Sequence, residues 1–403
     1  MARKLDLRTG RPVWMAYRAP AVPVSALDRD VRCDVAVVGM GISGAMVAEA
    51  LARRGHDVVV IDRRGPMRGS TPATTALVQF EIDQPLTKLS RMVGKDKAVT
   101  AWRRSRLAVM NLAARIETLG IECRLAMRPS LYLAGDVLDA AALQEEAAAR
   151  RAAGISAEYL SRPALKESFG LARDGAVLSE GNLALDPRKL TAGLLNRACA
   201  RKARLYAAAE ATAIAHSGDE VAITTRDGPV IRAGHAVLAT GYELMDGVSA
   251  RTHSIISTWA IATRPQKQAI WPRAAFIWEA SDPYLYMRTT DDGRIICGGE
   301  DEDFQDEEKR DALILEKTAA IVRKLTALMP GIDPSPEFTW TGSFGATPTG
   351  LPIIGTLPRK PRIHAVMGYG GNGITFSQLA SEIIATTLDG REDVDADLFA
   401  MPS

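Results

Sequence analysis

Residues 34–62 hold the pattern that most restricts what this chain can fold into. Asp34-Val-Ala-Val-Val-Gly39 is a short β-branched apolar run of the kind that forms a buried parallel strand. Gly39, Gly41 and Gly44 follow as G-x-G-x-x-G, and Ala45 to Arg54 are strong helix formers. Gly55 supplies a helix stop. A second apolar run, Val58 to Ile61, ends in Asp62, at roughly the 20-residue spacing expected of a ribose-binding carboxylate. Strand, glycine turn, helix, strand and terminal acid together predict a βαβ unit holding a dinucleotide. Gly39 serves the tight turn, Gly41 lets the backbone approach a pyrophosphate, and Gly44 lets helix and strand pack closely. The pyrophosphate rests on free N–H groups at the positive helix end. This unit alone leaves FAD and NAD both open. Asp62 disfavours a 2′-phosphate, a preference that Arg63 and Arg64 weaken.

The remaining chain must cover that unit. Its 403 residues suggest about two or three domains. With 50 basic and 48 acidic residues, no general nucleic-acid surface is expected. The mean hydropathy of −0.03 and the lack of a long uncharged apolar run predict no membrane span. Cys33, Cys123, Cys199 and Cys297 form no CxxC pair, so reduced thiols in a cytoplasmic protein are expected and no metal site is predicted. Residues 1–29 carry no export signal and read as an irregular arm with Pro12, Pro20 and Pro23.

Two further segments bear on the cofactor. Asp227-Gly228 between Val221–Thr225 and Pro229–Ala233 predicts a hairpin, and His235 to Ala239 an apolar strand ending at Thr240-Gly241. Met367 to Thr375 reads Met-Gly-Tyr-Gly-Gly-Asn-Gly-Ile-Thr, before a helix predicted to run through Leu388 with Thr375 and Gln378 as a capping box. Such a loop aims bare amides and a helix dipole at an anion.

The stretches VAVVGMGISGAMVAEALARRGHDVVVID, GSTPATTALVQFEID, AVLATGYE and GLPIIGTLP…GYGGNGITFS occur in this order from about residue 33 to 388. In this the chain resembles the D-amino-acid oxidase/glycine oxidase/sarcosine oxidase superfamily of FAD-dependent oxidoreductases. Within it, the chain looks nearest to bacterial γ-glutamylputrescine-oxidase-like members. The resemblance implies a two-domain α/β fold, with a Rossmann-like FAD domain and a mixed-sheet substrate domain. The FAD domain would take residues 30–88, 182–249 and 342–395, and the substrate domain 89–181 and 250–341. It implies that Gly39, Gly41, Ser43, Gly44, Asp62 and Arg63 meet the ADP moiety. Arg68 and Gly69, Ser70, Thr71, Thr74, Thr75 and Ala76 would lie along the pyrophosphate and flavin ring. Ala211 would meet adenine, with Thr240 and Gly241 nearby, and Gly371, Asn372, Gly373, Ile374 and Thr375 the flavin's pyrimidine edge.

The same resemblance implies oxidative deamination of an amine or amino acid, by hydride transfer from the carbon next to nitrogen to flavin N5. Sarcosine-oxidase-like members tether FAD through a cysteine. Gly342 stands about there, which implies non-covalent FAD. They also place a lysine beside flavin N5 to activate oxygen. Ile296 stands about there, so oxygen and another electron acceptor both stay open. Tyr284, Tyr286 and Arg288 share a strand face by alternation. Two phenols and a fork-shaped guanidinium suit a small carboxylate, and in glycine-oxidase-like relatives this Arg position binds one. Leu77, Tyr242, Phe344 and Tyr369 are further pocket candidates, and Glu81 would meet a cation. The acidic run Glu300–Asp303 reads as a solvated loop, and residues 138–153 as an exposed helix. An NAD-dependent dehydrogenase using the first motif alone, or a flavin-bearing subunit of a larger complex, are the alternatives.

Overall fold

A computed structural model describes residues 5–243, 245 and 253–401. Two sheets organise them. In the smaller, the strand Val31–Val38 pairs in parallel with Val58–Asp62 on one side and with Val230–Leu238 on the other. Arg204–Ala207 extends this sheet beyond Val58–Asp62, and Lys360–Met367 and Ile353–Leu357 extend it beyond Val230–Leu238. The central runs are buried on both faces, which is why they read as continuous β-branched stretches rather than alternations. The helices Ile42–Arg53 and Gly373–Leu388 pack on this sheet and on each other.

The larger sheet is mixed. Its central strands are Ser254–Thr263, Ile295–Glu302, Leu285–Thr289 and Phe276–Glu279, followed by Ala126–Leu133 and Gly175–Ala184. A second core of Trp259, Trp271, Ile277, Met287 and Cys297 lies beneath it, covered by the helix Ile314–Leu328. The proposed break at 249/250 lies outside the described residues. Elsewhere the segment boundaries are not sharp. The helix Lys95–Leu119, assigned above to the substrate domain, packs on Gly373–Leu388, and its buried Arg115 pairs with Glu49 at 2.5 Å. Leu77–Val78, assigned to the FAD domain, is an edge strand of the larger sheet.

Three expectations need correction. The arm is not wholly irregular: Arg8–Gly10 adds antiparallel to Trp340–Gly342, and Leu5, Leu7, Val13 and Trp14 are buried. Apolar spacing too short to show a period hid this strand. Thr375 and Gln378 make no capping box, because a 3₁₀ turn at Gly370–Asn372 runs straight into a helix starting at Gly373. Thr375 then lies inside the first turn and donates its hydroxyl to the Gln79 carbonyl at 2.7 Å. The helix Ala140–Ala152 is exposed on one face only. Its Glu146 and Arg150 are fully buried, pair at 2.8 Å, and Glu146 accepts the Leu86 and Thr87 N–H groups. No helix among the described residues is long and apolar enough to cross a membrane.

Candidate active site

A cavity of about 780 Å³ opens between the two sheets. The smaller sheet lines one side. Gly39 leaves its strand at φ +119°, and a Cβ there would meet the Ala239 carbonyl oxygen at 2.3 Å. At Gly44 a Cβ would lie 1.9 Å from the Gly39 oxygen. The tight strand–helix contact therefore excludes any other residue at 44, which itself stays behind the cavity wall. Gly41, Ser43, Asp62 and Arg63 line the cavity with Gly39, as do Ala211, Thr240 and Gly241. Asp62 carries a load the sequence did not show. Its Oδ1 accepts the Arg64 and Gly65 N–H groups at 2.6 and 2.8 Å, and its Oδ2 accepts Met40 N–H at 2.8 Å. By lone-pair count, Oδ2 keeps one free site for a ribose hydroxyl.

The loop of Gly69, Ser70, Thr71, Thr74 and Thr75 lines the middle of the cavity. Two indoles anchor it: Trp14 donates to the Thr74 carbonyl at 2.6 Å and Trp340 to that of Ala73 at 2.8 Å. The Thr71 hydroxyl accepts Ile42 N–H, tying the loop to the helix start. Ala76, predicted to face the cofactor, is buried and outside the lining, with φ +57°. Its carbonyl is where Arg288 goes.

Arg288 does not line the cavity. Nη1 donates to the Ala76 and Leu185 carbonyls at 2.6 and 3.1 Å, and Nε to the Thr289 carbonyl at 3.1 Å. The guanidinium lies over the rings of Trp14 and Phe276 and is 3% exposed. Burial pulls its pKa down to about 9, with Arg128 adding to the fall. Strand alternation does set Arg288 on the face of Tyr286, but buried carbonyls across that face claim its donors. The expected carboxylate fork is thus a clamp on the Ala76 loop. Tyr284 and Tyr286 do line the cavity, with ring centres 5.5 Å apart, and burial pushes both hydroxyls well up.

At the third wall, Gly371, Asn372, Gly373 and Ile374 line the cavity and Thr375 stays behind it. Asn372 donates to the Glu81 carbonyl at 2.6 Å. Gly371 N–H donates to Asp83 Oδ2 at 2.9 Å, so one of the loop's amides already has an acceptor. Asp83 is exposed toward the cavity, and the protein packed around that opening raises its pKa to about 6. Leu77, Glu81, Tyr242, Phe344 and Tyr369 also line the cavity.

Asp83, Asp301, Glu243, Tyr132 and Trp278 escaped the sequence reading as site residues, and all line the cavity. Tyr132 and Trp278 stack at 3.7 Å. Glu243 is buried, accepts Leu5 N–H at 2.8 Å, and pairs with Arg63 and Arg64, fastening the arm beside the glycine turn. Asp301 lies at the end of the strand Ile295–Glu302, which corrects the solvated-loop reading of the acidic run. Burial, with Asp83 and Glu300 nearby, raises its pKa to about 6.

A glycine turn, a carboxylate closing the second strand and one cavity that also takes in two phenols are the features of a dinucleotide-dependent redox enzyme. The model of the DAO family, FAD dependent oxidoreductase, matches residues 34–387. The chain belongs to this family, and its cofactor is FAD, which removes the NAD alternative. It is 24% identical over 379 residues to γ-glutamylputrescine oxidoreductase of Escherichia coli, covering 91% of this chain and 86% of that one. It is 25% identical over 427 residues to the tRNA 5-methylaminomethyl-2-thiouridine biosynthesis bifunctional protein MnmC of Cupriavidus necator. That match covers 96% of this chain but only 61% of the bifunctional protein. Glycine oxidase from Geobacillus kaustophilus has the same fold, with a TM-score of 0.73 at 21% identity over 92% of this chain and 98% of that one.

The cavity fits FAD by its own features. Its lining takes in both the Gly39 turn and the Gly371 loop, and the close contact at Gly39 leaves bare backbone there. None of the four free cysteines lines it.

Proposed function

We propose that this chain oxidises the carbon next to nitrogen in a small amine or amino acid, with FAD held non-covalently. Gly39, Gly41, Ser43, Asp62 and Arg63 hold the ADP portion, and Ala211, Thr240 and Gly241 flank it. Gly69 to Thr75 run beside the pyrophosphate and ring, and Gly371 to Ile374 border the ring's pyrimidine edge. We keep the division into a FAD domain and a substrate domain only in outline, since Leu77–Val78 and parts of 182–184 and 342–346 belong to the larger sheet. FAD, when bound, supplies the hydride acceptor. The protein's part is to exclude water and to orient the substrate. Tyr284 and Tyr286 form the wall against which the substrate lies, and their raised pKa values keep both phenols neutral donors. No protein base is needed if the amine binds deprotonated, and the imine product hydrolyses in water.

The observation that carries this reading is that one cavity is lined both by the glycine turn and by the two phenols. The names of the relatives, one an amine oxidoreductase and one a glycine oxidase, support the substrate range. The test is an anaerobic visible spectrum of the purified holoenzyme, titrated with pooled amino acids and then pooled amines. Bleaching of the oxidised-flavin band by either pool supports the reading, and readmitted air reports whether oxygen accepts the electrons. A flavin band that no pool bleaches refutes it.

A further inference from the structure

Charge in the cavity is one-sided. On the side of the larger sheet its lining includes Glu81, Asp83, Glu279, Asp301 and Glu302. Two of these have ion-pair partners: Glu279 pairs with Arg173 and Glu302 with Lys317, each at 2.5 Å. Glu81 accepts from Ser130 and Asn182 through Oε1, and its buried Oε2 has no hydrogen-bond partner. Glu81, Asp83 and Asp301 form no ion pair among the described residues. Asp83 has a single backbone donor, Gly371 N–H. Asp301 Oδ1 is buried with no hydrogen-bond partner, while the carboxyl as a whole meets the hydroxyls of Tyr284 and Thr258. A buried carboxylate oxygen without a donor costs free energy in the empty protein, and a bound cation would offset it.

The positive side of the lining is sparse. Its cations are Arg63, Arg64 and Lys88. Glu243 engages both arginines beside the glycine turn, and Lys88 is exposed. Arg288, the residue placed to bind a carboxylate, spends its donors on backbone carbonyls behind the wall. An α-carboxylate in this end would face three carboxylates without an ion pair, Glu81, Asp83 and Asp301, and no free guanidinium.

We propose that the cavity selects a substrate with a second cationic nitrogen and no carboxylate on the reacting carbon, and that Asp301 and Asp83 hold that cation. The proposal rests on the amine-oxidation reading above and narrows it. Asp301 and Asp83 are specificity residues. Tyr284, which lines the cavity beside Asp301, orients the alkyl chain.

The test uses the anaerobic holoenzyme and four probes of equal carbon count: 1,4-diaminobutane, butylamine, 4-aminobutanoate and 2-aminobutanoate. Binding is measured by titration calorimetry, and flavin bleaching is followed in parallel. The diamine should bind tighter than butylamine by on the order of 10- to 100-fold, the value of a charge-assisted contact. In Asp301→Asn that margin should shrink to a few-fold. Asp83→Asn, which keeps an acceptor for Gly371 N–H, should shrink it as well, and it carries the test if Asp301→Asn loses its FAD band. The proposal is overturned if either aminobutanoate binds tightest, if no probe binds, or if the margin survives both substitutions. The two readings separate cleanly. Bleaching by 2-aminobutanoate that ignores both substitutions leaves the oxidation reading standing and sinks this one. Diamine binding that depends on Asp301 without bleaching supports the cation site and refutes the oxidation reading.

Discussion

Arg288→Met discriminates between two roles for the same side chain. If Arg288 held a substrate carboxylate, its loss would raise KM for amino acids and leave the fold alone. The structure predicts the reverse. Three hydrogen bonds from a cation to buried carbonyls are lost, one of them at 2.6 Å. Charge-assisted bonds contribute roughly 1.5–3 kcal/mol each. Removing the buried cation returns several kcal/mol of desolvation, and methionine refills most of the volume between Trp14 and Phe276. The net loss is about 3 kcal/mol. With an unfolding entropy of roughly 0.8 kcal/mol/K for a chain this long, Tm should fall by about 3–4 °C. The Ala76 carbonyl then loses its anchor, so the Thr71–Ala76 loop loosens and FAD retention through gel filtration should drop. Arg288→Lys should recover part of the Tm and little of the retention, since an ammonium cannot span all three carbonyls. Scanning calorimetry and the ratio of flavin to protein absorbance read both effects. A variant with unchanged Tm and full FAD, but with KM raised only for carboxylate substrates, would refute this account.

Gly44→Ala should yield protein with little bound FAD, because its Cβ has to displace the Gly39 carbonyl from 1.9 Å and so deform the turn; a normal flavin band in that variant contradicts the packing argument. Glu243→Gln should cost about 2 kcal/mol and expose the arm to limited proteolysis, because Arg63 and Arg64 lose their counter-charge; protection equal to wild type would count against it. Diamine affinity should rise as pH passes upward through about 6, where Asp301 and Asp83 ionise. The sign for stability is opposite. Both carboxyls are raised above their unfolded value, so their contribution to stability is full below about pH 4 and is lost as pH rises through about 6. Diamine should therefore raise Tm more at pH 7 than at pH 5, and an equal or smaller gain at pH 7 excludes ionised Asp301 as its partner.

The geometry of the glycine-turn wall was legible because its constraints are local. Gly39, Gly44 and Asp62 lie within one βαβ unit, and close backbone approach there permits few sequences. The Asp227-Gly228 hairpin and the Gly390 helix stop follow from backbone geometry in the same way. Arg288 was legible as a face and not as a contact. Alternation places it beside Tyr286, but its partners, Ala76 and Leu185, are brought there by two distant segments. Their carbonyls carry no side-chain signal for the sequence to show.

Asp301 was hidden by an irregularity in the strand that carries it. Acidic residues crowd positions 300–303, and such a run suits water. The pairing shows why one member turns inward. Ser257 opposes Glu302 and Trp259 opposes Gly299, so the strand Ile295–Glu302 holds one residue more than its neighbour between those points. Gly299 at φ +143° and Glu300 at φ +60° absorb the extra residue as a bulge. Beyond a bulge the alternation is reset, so counting from Cys297 assigns the wrong face to everything that follows. Asp301 thereby enters the cavity while Glu300 pairs with Lys324 at 2.5 Å on the other side. The strained backbone at 299–300 thus directs a carboxylate into the cavity, whereas the family resemblance led us to expect a guanidinium to govern selection there. If that is its role, deleting one residue of the bulge should abolish diamine preference while leaving the FAD band, which depends on the other sheet, in place.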